Sequence, residues 1–227
     1  MNVIQNDKLI KRNRIIGQVA TVVALLVLGA GIYISFTDKE SKYIAYTFAA
    51  LIFGFLLSQI GMFYSNKWGR SPRPDELITQ ALKGLGGKYE LRHFTSSVPH
   101  LLIGEHLAWI LIPYHQTGTI TYDEQKKIWK QKGGNWYLKI FGQERLGRPD
   151  LDVKSQVAEL EKELSKDNSG ADFEIRPVLI FLNPKTIIDT KNAPVPTLPL
   201  SKLKEHIRQY SRKKDRVTKT RQLVDQS

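Results

Sequence analysis

The 227 residues contain no cysteine, which excludes disulfides, thiolate nucleophiles and Cys-ligated zinc or iron–sulfur centres and fits a reducing compartment. Negative charge is scarce too: 22 Asp and Glu stand against 34 Lys and Arg, for a net charge of +12. That surplus points to an anionic neighbour, either nucleic acid or lipid headgroups. No glycine-rich phosphate loop is present, because Gly84, Gly86 and Gly87 follow a helical pattern where such a loop would precede one. A Ser/His/Asp elbow and internal repeats are also missing. At about 150 residues per domain, the length leaves room for one ordinary domain and something smaller.

Charge of either sign is absent from residues 15–36 and again from 43–64, two apolar runs of 22 residues each. As helices they would be roughly 33 Å long, enough to cross a bilayer. Tyr43, Tyr46, Phe63 and Tyr64 sit near the ends of the second run, where amphipathic rings settle at headgroup level. Lys8, Lys11, Arg12 and Arg14 precede the first run, and Lys67, Arg70 and Arg73 follow the second. The positive-inside rule then places both termini in the cytoplasm and the neutral loop 37–42 outside. A cleaved signal peptide is the rival for the first run, but the run is longer than a usual signal core.

Ala50, Gly54 and Ser58 recur every four residues, with Gly31 and Ser35 as a matching notch on the first span. Such a stripe serves either a homodimer or the packing of the two spans on each other. Gln18 and Gln59 are the only amides in the spans and neither ionises, so no proton relay or ion path is offered.

The expected organisation is a basic N-terminus (1–14), two spans, a linker (65–74), an α/β domain (75–210) and a disordered basic tail (211–227). Asp75 and Glu76 open a helix with Leu77, Ile78, Ala81 and Leu82 at helical spacing. Strand-like runs follow at 88–93, 100–103, 107–112, 118–122, 126–130 and 136–141, with Gly133, Gly134 and Asn135 as a turn before the last. The run 107–112 is apolar at every position, as in a central strand covered on both faces. Pro149 opens a helix to about 166 with Val153, Val157, Leu160 and Leu164 on one stripe. A strand at 178–182 and a short helix at 200–210, with Leu200, Leu203 and Ile207 inward, complete the order.

That order resembles the NERD (nuclease-related) domain, a distant branch of the restriction-endonuclease-like PD-(D/E)xK nucleases. The match spans about residues 75–210, on Pro99-His100-Leu101-Leu102-Ile103-Gly104, the strand 107–112, Gly118-Thr119-Ile120, Lys127-Ile128-Trp129 and the helix carrying Gln156. The resemblance implies a central mixed sheet flanked by helices. It also implies an Asp on one strand and a Glu-x-Lys on the next, two carboxylates holding a divalent metal while the lysine steadies the attacking water. Those positions carry Pro99, Ile112 and Tyr114, and no acid occurs from 107 through 121. A degenerate domain acting as a binding or scaffolding module, without cofactor, is therefore expected.

The rival is a metal-dependent nuclease, using Mg or Mn, whose ligands have migrated to Glu76, Glu90 and Glu105; otherwise these are solvated surface acids. His93, His100, His106 and His115 follow no zinc spacing and read as surface or hydrogen-bonded side chains.

Two basic clusters remain. Lys126, Lys127, Lys130, Lys132 and Lys139 are interleaved with Trp129, Trp136 and Tyr137, while Lys202, Lys204, Arg208, Arg212, Lys213, Lys214, Arg216, Lys219 and Arg221 crowd the C-terminus. Phosphate contacts with base stacking would hold nucleic acid. A tethered tail would instead lie on anionic lipid at about 1 kcal/mol per basic residue. Core packing of Trp129 and Trp136 and a merely solubilising tail are the simplest alternatives.

Overall fold

The structure is a computed structural model that describes residues 1–38, 42–105, 107–134, 145–166 and 174–224, with side chains through 213. His106, the expected strand 136–141 with Trp136, Tyr137 and Lys139, Asn135 of the expected turn, and the side chains of Lys214, Arg216, Lys219 and Arg221 lie outside the described residues. The chain divides into two units, residues 6–73 and residues 1–5 with 74–227.

The first unit is an antiparallel pair, α1 (Asp7–Thr37) and α2 (Ile44–Tyr64), followed by a π-helical turn at Ser65–Gly69 within the expected linker. Both helices are long and apolar enough to cross a membrane. α1 starts earlier than the apolar run because Asn6 caps it, accepting from the Leu9 N–H at 3.0 Å, and because Lys8, Lys11, Arg12 and Arg14 are good helix formers. Asp38 accepts from the N–H groups of Lys42 (3.1 Å) and Tyr43 (2.6 Å) and so satisfies donors at the start of α2.

Ile10, Gly17, Ala24 and Gly31 are the buried positions of α1, and Thr47, Gly54 and Gly61 those of α2. Both sets recur every seven residues, the spacing of a left-handed helix pair. Gly17 faces Tyr64, Gly54 faces Leu28 and Gly61 faces Thr21; a Cβ on Gly54 would lie 2.6 Å from Leu28 Cγ. Two members of the expected dimer stripe are thus used inside the hairpin, since Gly54 is buried there and Ala50 meets Gly31. Its third member, Ser58, is half-buried and bonds the Phe55 carbonyl at 2.7 Å.

The second unit is a mixed α/β domain. Its six-stranded sheet has the order β1-β2-β3-β4-β7-β9, formed by Asn2–Gln5, Glu90–His93, His100–Ile103, Leu107–Tyr114, Glu174–Phe181 and Thr197–Pro199. β3 runs antiparallel to both neighbours and all other pairs are parallel. A second sheet, β6-β5-β8, joins Ile128–Lys132, Thr119–Asp123 and Ile187–Asp189. The helices are α3 (Pro74–Leu82), α4 (Pro149–Lys166) and α5 (Leu200–Val224).

β4 is central, and its uniform apolarity has the expected cause. Leu107, Trp109 and Leu111 pack in one core with Ile78 and Leu82 of α3 and Leu203 and Ile207 of α5. Ala108, Ile110, Ile112 and Tyr114 enter a second core with Leu160 of α4, Ile120 and Trp129. Period-two alternation alone separates the layers.

Two sequence expectations change here. Residues 2–5 are not part of a simple basic terminus: they form a parallel edge strand in register Asn2↔Glu90 to Gln5↔His93. Nor do residues 211–224 form a disordered tail, because α5 continues to Val224. That stretch has no Gly or Pro, and Arg, Lys, Gln and Leu favour helix.

His206 on α5 meets the Trp109 ring edge-on at 5.7 Å, and its Nε2 is buried without a hydrogen-bond partner among the described residues. Burial holds its pKa below the ordinary imidazole value. The unfolded chain therefore takes up a proton near pH ~6.5, before the folded one does. The resulting stability is complete above that pH and is lost as pH falls toward the lower folded pKa. Thermal midpoints of the full chain in detergent should fall more steeply from about pH 7.5 to 5 than those of His206→Phe. Parallel curves would show that His206 does not contribute.

Candidate functional site

Pro99 immediately precedes β3, while Ile112 and Tyr114 close β4, so these three residues gather at one end of two neighbouring antiparallel strands. Ile112 is 4% exposed and Tyr114 7%, both in the core beneath α4. The Tyr114 ring stacks on Phe181 at 5.5 Å and its hydroxyl donates to Asp152 Oδ2 at 2.6 Å. Burial, and then the Asp152 carboxylate, push the phenol pKa far above its ordinary value. Asp152 shares the first turn of α4 with Asp150, where the helix dipole favours negative charge. This end of the sheet thus holds an isoleucine, a proline and a phenol that keeps its proton. None of the three can bind a divalent cation as a carboxylate does or deprotonate water.

The acids proposed as migrated ligands do not converge on that end. Glu90 opens β2 and lies beside Ile103 in the ladder, and Glu105 follows β3, so both belong to the opposite end of the sheet. Ile103 lies four residue steps along the strand from Pro99, roughly 13 Å. Glu90 is paired with Arg92 at 2.6 Å, Glu105 is exposed, and Glu76 is exposed on the first turn of α3. Among the described residues, no group of three His, Cys, Asp or Glu side chains could hold a metal ion. Local spacing cannot reveal this separation, because strand ends far apart in space can be near in sequence.

His93 and His100, by contrast, are brought together. They face each other across the β2–β3 ladder, both buried, with Nδ1 atoms 2.9 Å apart, and His93 Nε2 lies 2.9 Å from Thr79 Oγ1. One ring nitrogen donates and the other accepts, so the contact joins two neutral rings or one neutral ring and one cation. It ties α3 to the β2–β3 hairpin. The signal for it is their position as last and first residues of adjacent strands.

A cavity of about 330 Å³ lies between α3 and the ends of β7 and β9, lined by Leu77, Ala81, Leu182, Pro184, Pro199 and Leu200. It holds no titratable lining group.

The basic clusters separate into structural and open members. Lys126, Lys127, Lys130 and Lys132 are exposed on the β5–β6 hairpin. Trp129 points the other way into the core, 7% exposed and 4.7 Å from the Tyr122 ring, so it offers no face for a base. Lys130 pairs with Asp123 at 2.6 Å, and that hydrogen bond lowers the Asp123 pKa. Lys204 donates to the Lys83 carbonyl at 2.6 Å and Arg208 to the Gly84 carbonyl at 2.8 Å. They cap the end of α3, a structural role that sequence reading missed because the partners lie over 120 residues apart. Arg212 and Lys213 are exposed further along α5. No family model, no curated protein and no solved structure matches this chain.

Proposed function

We propose that this chain is a two-span membrane protein with both termini cytoplasmic, displaying a degenerate NERD-like domain that binds anionic lipid headgroups and does not cut nucleic acid. The order α3, β2, β3, β4, α4, β7 in a mixed sheet flanked by helices supports the restriction-endonuclease-like reading. The observation that carries the loss of catalysis is the hydrogen bond from the buried Tyr114 to the exposed Asp152 carboxylate beside Ile112, where that ancestry needs a metal and a lysine. Lipid is favoured over nucleic acid because Trp129 is withdrawn into the core, while α5 continues as a helix through the densest basic segment. A domain tethered to a bilayer meets its headgroups at high effective concentration.

The test uses the full chain in nanodiscs, with a fluorophore at position 222 and spin-labelled lipid as quencher. Quenching should be stronger with phosphatidylserine than with phosphatidylcholine alone. Replacing Arg212, Lys213, Lys214, Arg216, Lys219 and Arg221 by Gln should abolish the difference and spare the helix. Unchanged quenching with a lost salt-dependent affinity for nucleic acid would move the function to nucleic acid. Cleavage of DNA or RNA with Mg or Mn should stay at background; cleavage abolished by Glu90→Ala or Glu105→Ala would establish a relocated nuclease instead.

A further inference from the structure

We propose that two copies of this chain associate within the bilayer through the outer face of α2, with the Gln59 side chains paired across the interface. The inference rests on the membrane reading above. At 3.6 residues per turn, Gln59 lies roughly 140–160° around the helix from Gly54 and Gly61, the positions that pack on α1. It shares that outer face with Phe48, Ile52, Phe55 and Phe63, which are 58–61% exposed. Gln59 is itself exposed and makes no hydrogen bond among the described residues, whereas its neighbour Ser58 bonds back to the Phe55 carbonyl.

Depth makes the amide a problem for a single copy. Gly61 faces Thr21, so antiparallel packing sets Gln59 level with about Val23, eight residues inside the charge-free run that starts at Ile15. That is about 12 Å from the start of that run and about 8 Å inside the Tyr64 end of its own. Lipid tails offer neither donor nor acceptor to an amide, and the backbone carbonyls around it serve the helix. Gln18 does not share the problem: Gly17 faces Tyr64, at the end of both runs, where water and headgroups are within reach.

The second copy is the occupant because an amide complements itself. It carries two donors and an acceptor, and a two-fold axis brings a residue onto its own counterpart, so one N–H···O=C bond can be made in each direction. The small-residue stripe does not compete for this role, since Gly54 is spent within the hairpin.

The absence of cysteine makes the test direct. The full chain carrying Ile52→Cys, reconstituted in bilayers, should form a disulfide-linked dimer on mild oxidation, while Leu25→Cys on α1 should not. Adding Gln59→Leu should weaken the dimer by about threefold to thirtyfold, and Gln59→Asn should restore part of it. Resistance to carbonate extraction is measured on the same samples. Protein released by carbonate would end the membrane reading and this inference with it. Resistant protein that gives no Ile52→Cys dimer, a dimer indifferent to Gln59→Leu, or a cross-link only to another protein would overturn the inference and leave the membrane reading intact.

Discussion

A chain beginning at residue 74, without β1, is expected to be about 2–5 kcal/mol less stable than one in which residues 1–5 are joined to residue 74 by a flexible linker. β1 is an edge strand, yet its ladder covers the whole of β2, from Glu90 to His93. Removing it strips the backbone partners from a strand that contains Leu91 and His93, both fully buried, and turns β2 into an exposed edge. Each lost backbone hydrogen bond contributes roughly 0.5–1.5 kcal/mol, and the packing of Met1 on the core is lost with them. In the linked protein about 15 Gly/Ser residues, with a mean reach of roughly 20 Å, take the place of the two helices. Urea unfolding of the two proteins supplies the comparison; coincident midpoints would show that β1 is dispensable, and a soluble aggregate from the shorter chain alone would show the freed edge in action.

The second large effect is all-or-none. Because residues 2–5 pair with 90–93, both ends of the helical hairpin return to the same unit, and those hydrogen bonds cannot form across a bilayer. An even number of crossings follows for any inserted form, and in the proposed topology the basic flanks at 8–14 and 67–73 would hold both ends in the cytoplasm. Ser41→Cys should therefore react with an impermeant maleimide in intact cells, and Ser155→Cys on α4 only after lysis. Labelling of Ser155→Cys but not Ser41→Cys in intact cells would invert the topology and remove the anionic inner leaflet as partner.

Several elements were legible without any tertiary information. The helix at Pro149–Lys166 and the strand at His100–Ile103 coincide with their sequence patterns, because a helix-starting proline and a four-residue stripe are signals between chain neighbours. The missed strands, Asn2–Gln5, Ile187–Asp189 and Thr197–Pro199, are three or four residues long. None of them has the three-residue apolar run that marks His100–Ile103, so each becomes a strand only when a partner supplies its hydrogen bonds. The same limit applied to the hairpin: the Ala50, Gly54, Ser58 spacing marked a close approach, but the seven-residue recurrence of Gly17, Ala24 and Gly31 against Thr47, Gly54 and Gly61 needed the facing helix to be seen.

What the sequence determined by itself is the pair of charge-free runs, the uniformly apolar central strand, the basic surplus and the absence of carboxylates at 99 and 112, since each is a matter of composition or of spacing along the chain. Only the tertiary structure decided that the Tyr114 hydroxyl donates to Asp152, 38 residues away, that Glu90 and Glu105 stand at the opposite end of the sheet, and that Lys204 and Arg208 cap α3 instead of facing a ligand. Those outcomes depend on strand order and on contacts between segments far apart in the chain, and such contacts leave no local pattern because either partner alone is compatible with many others.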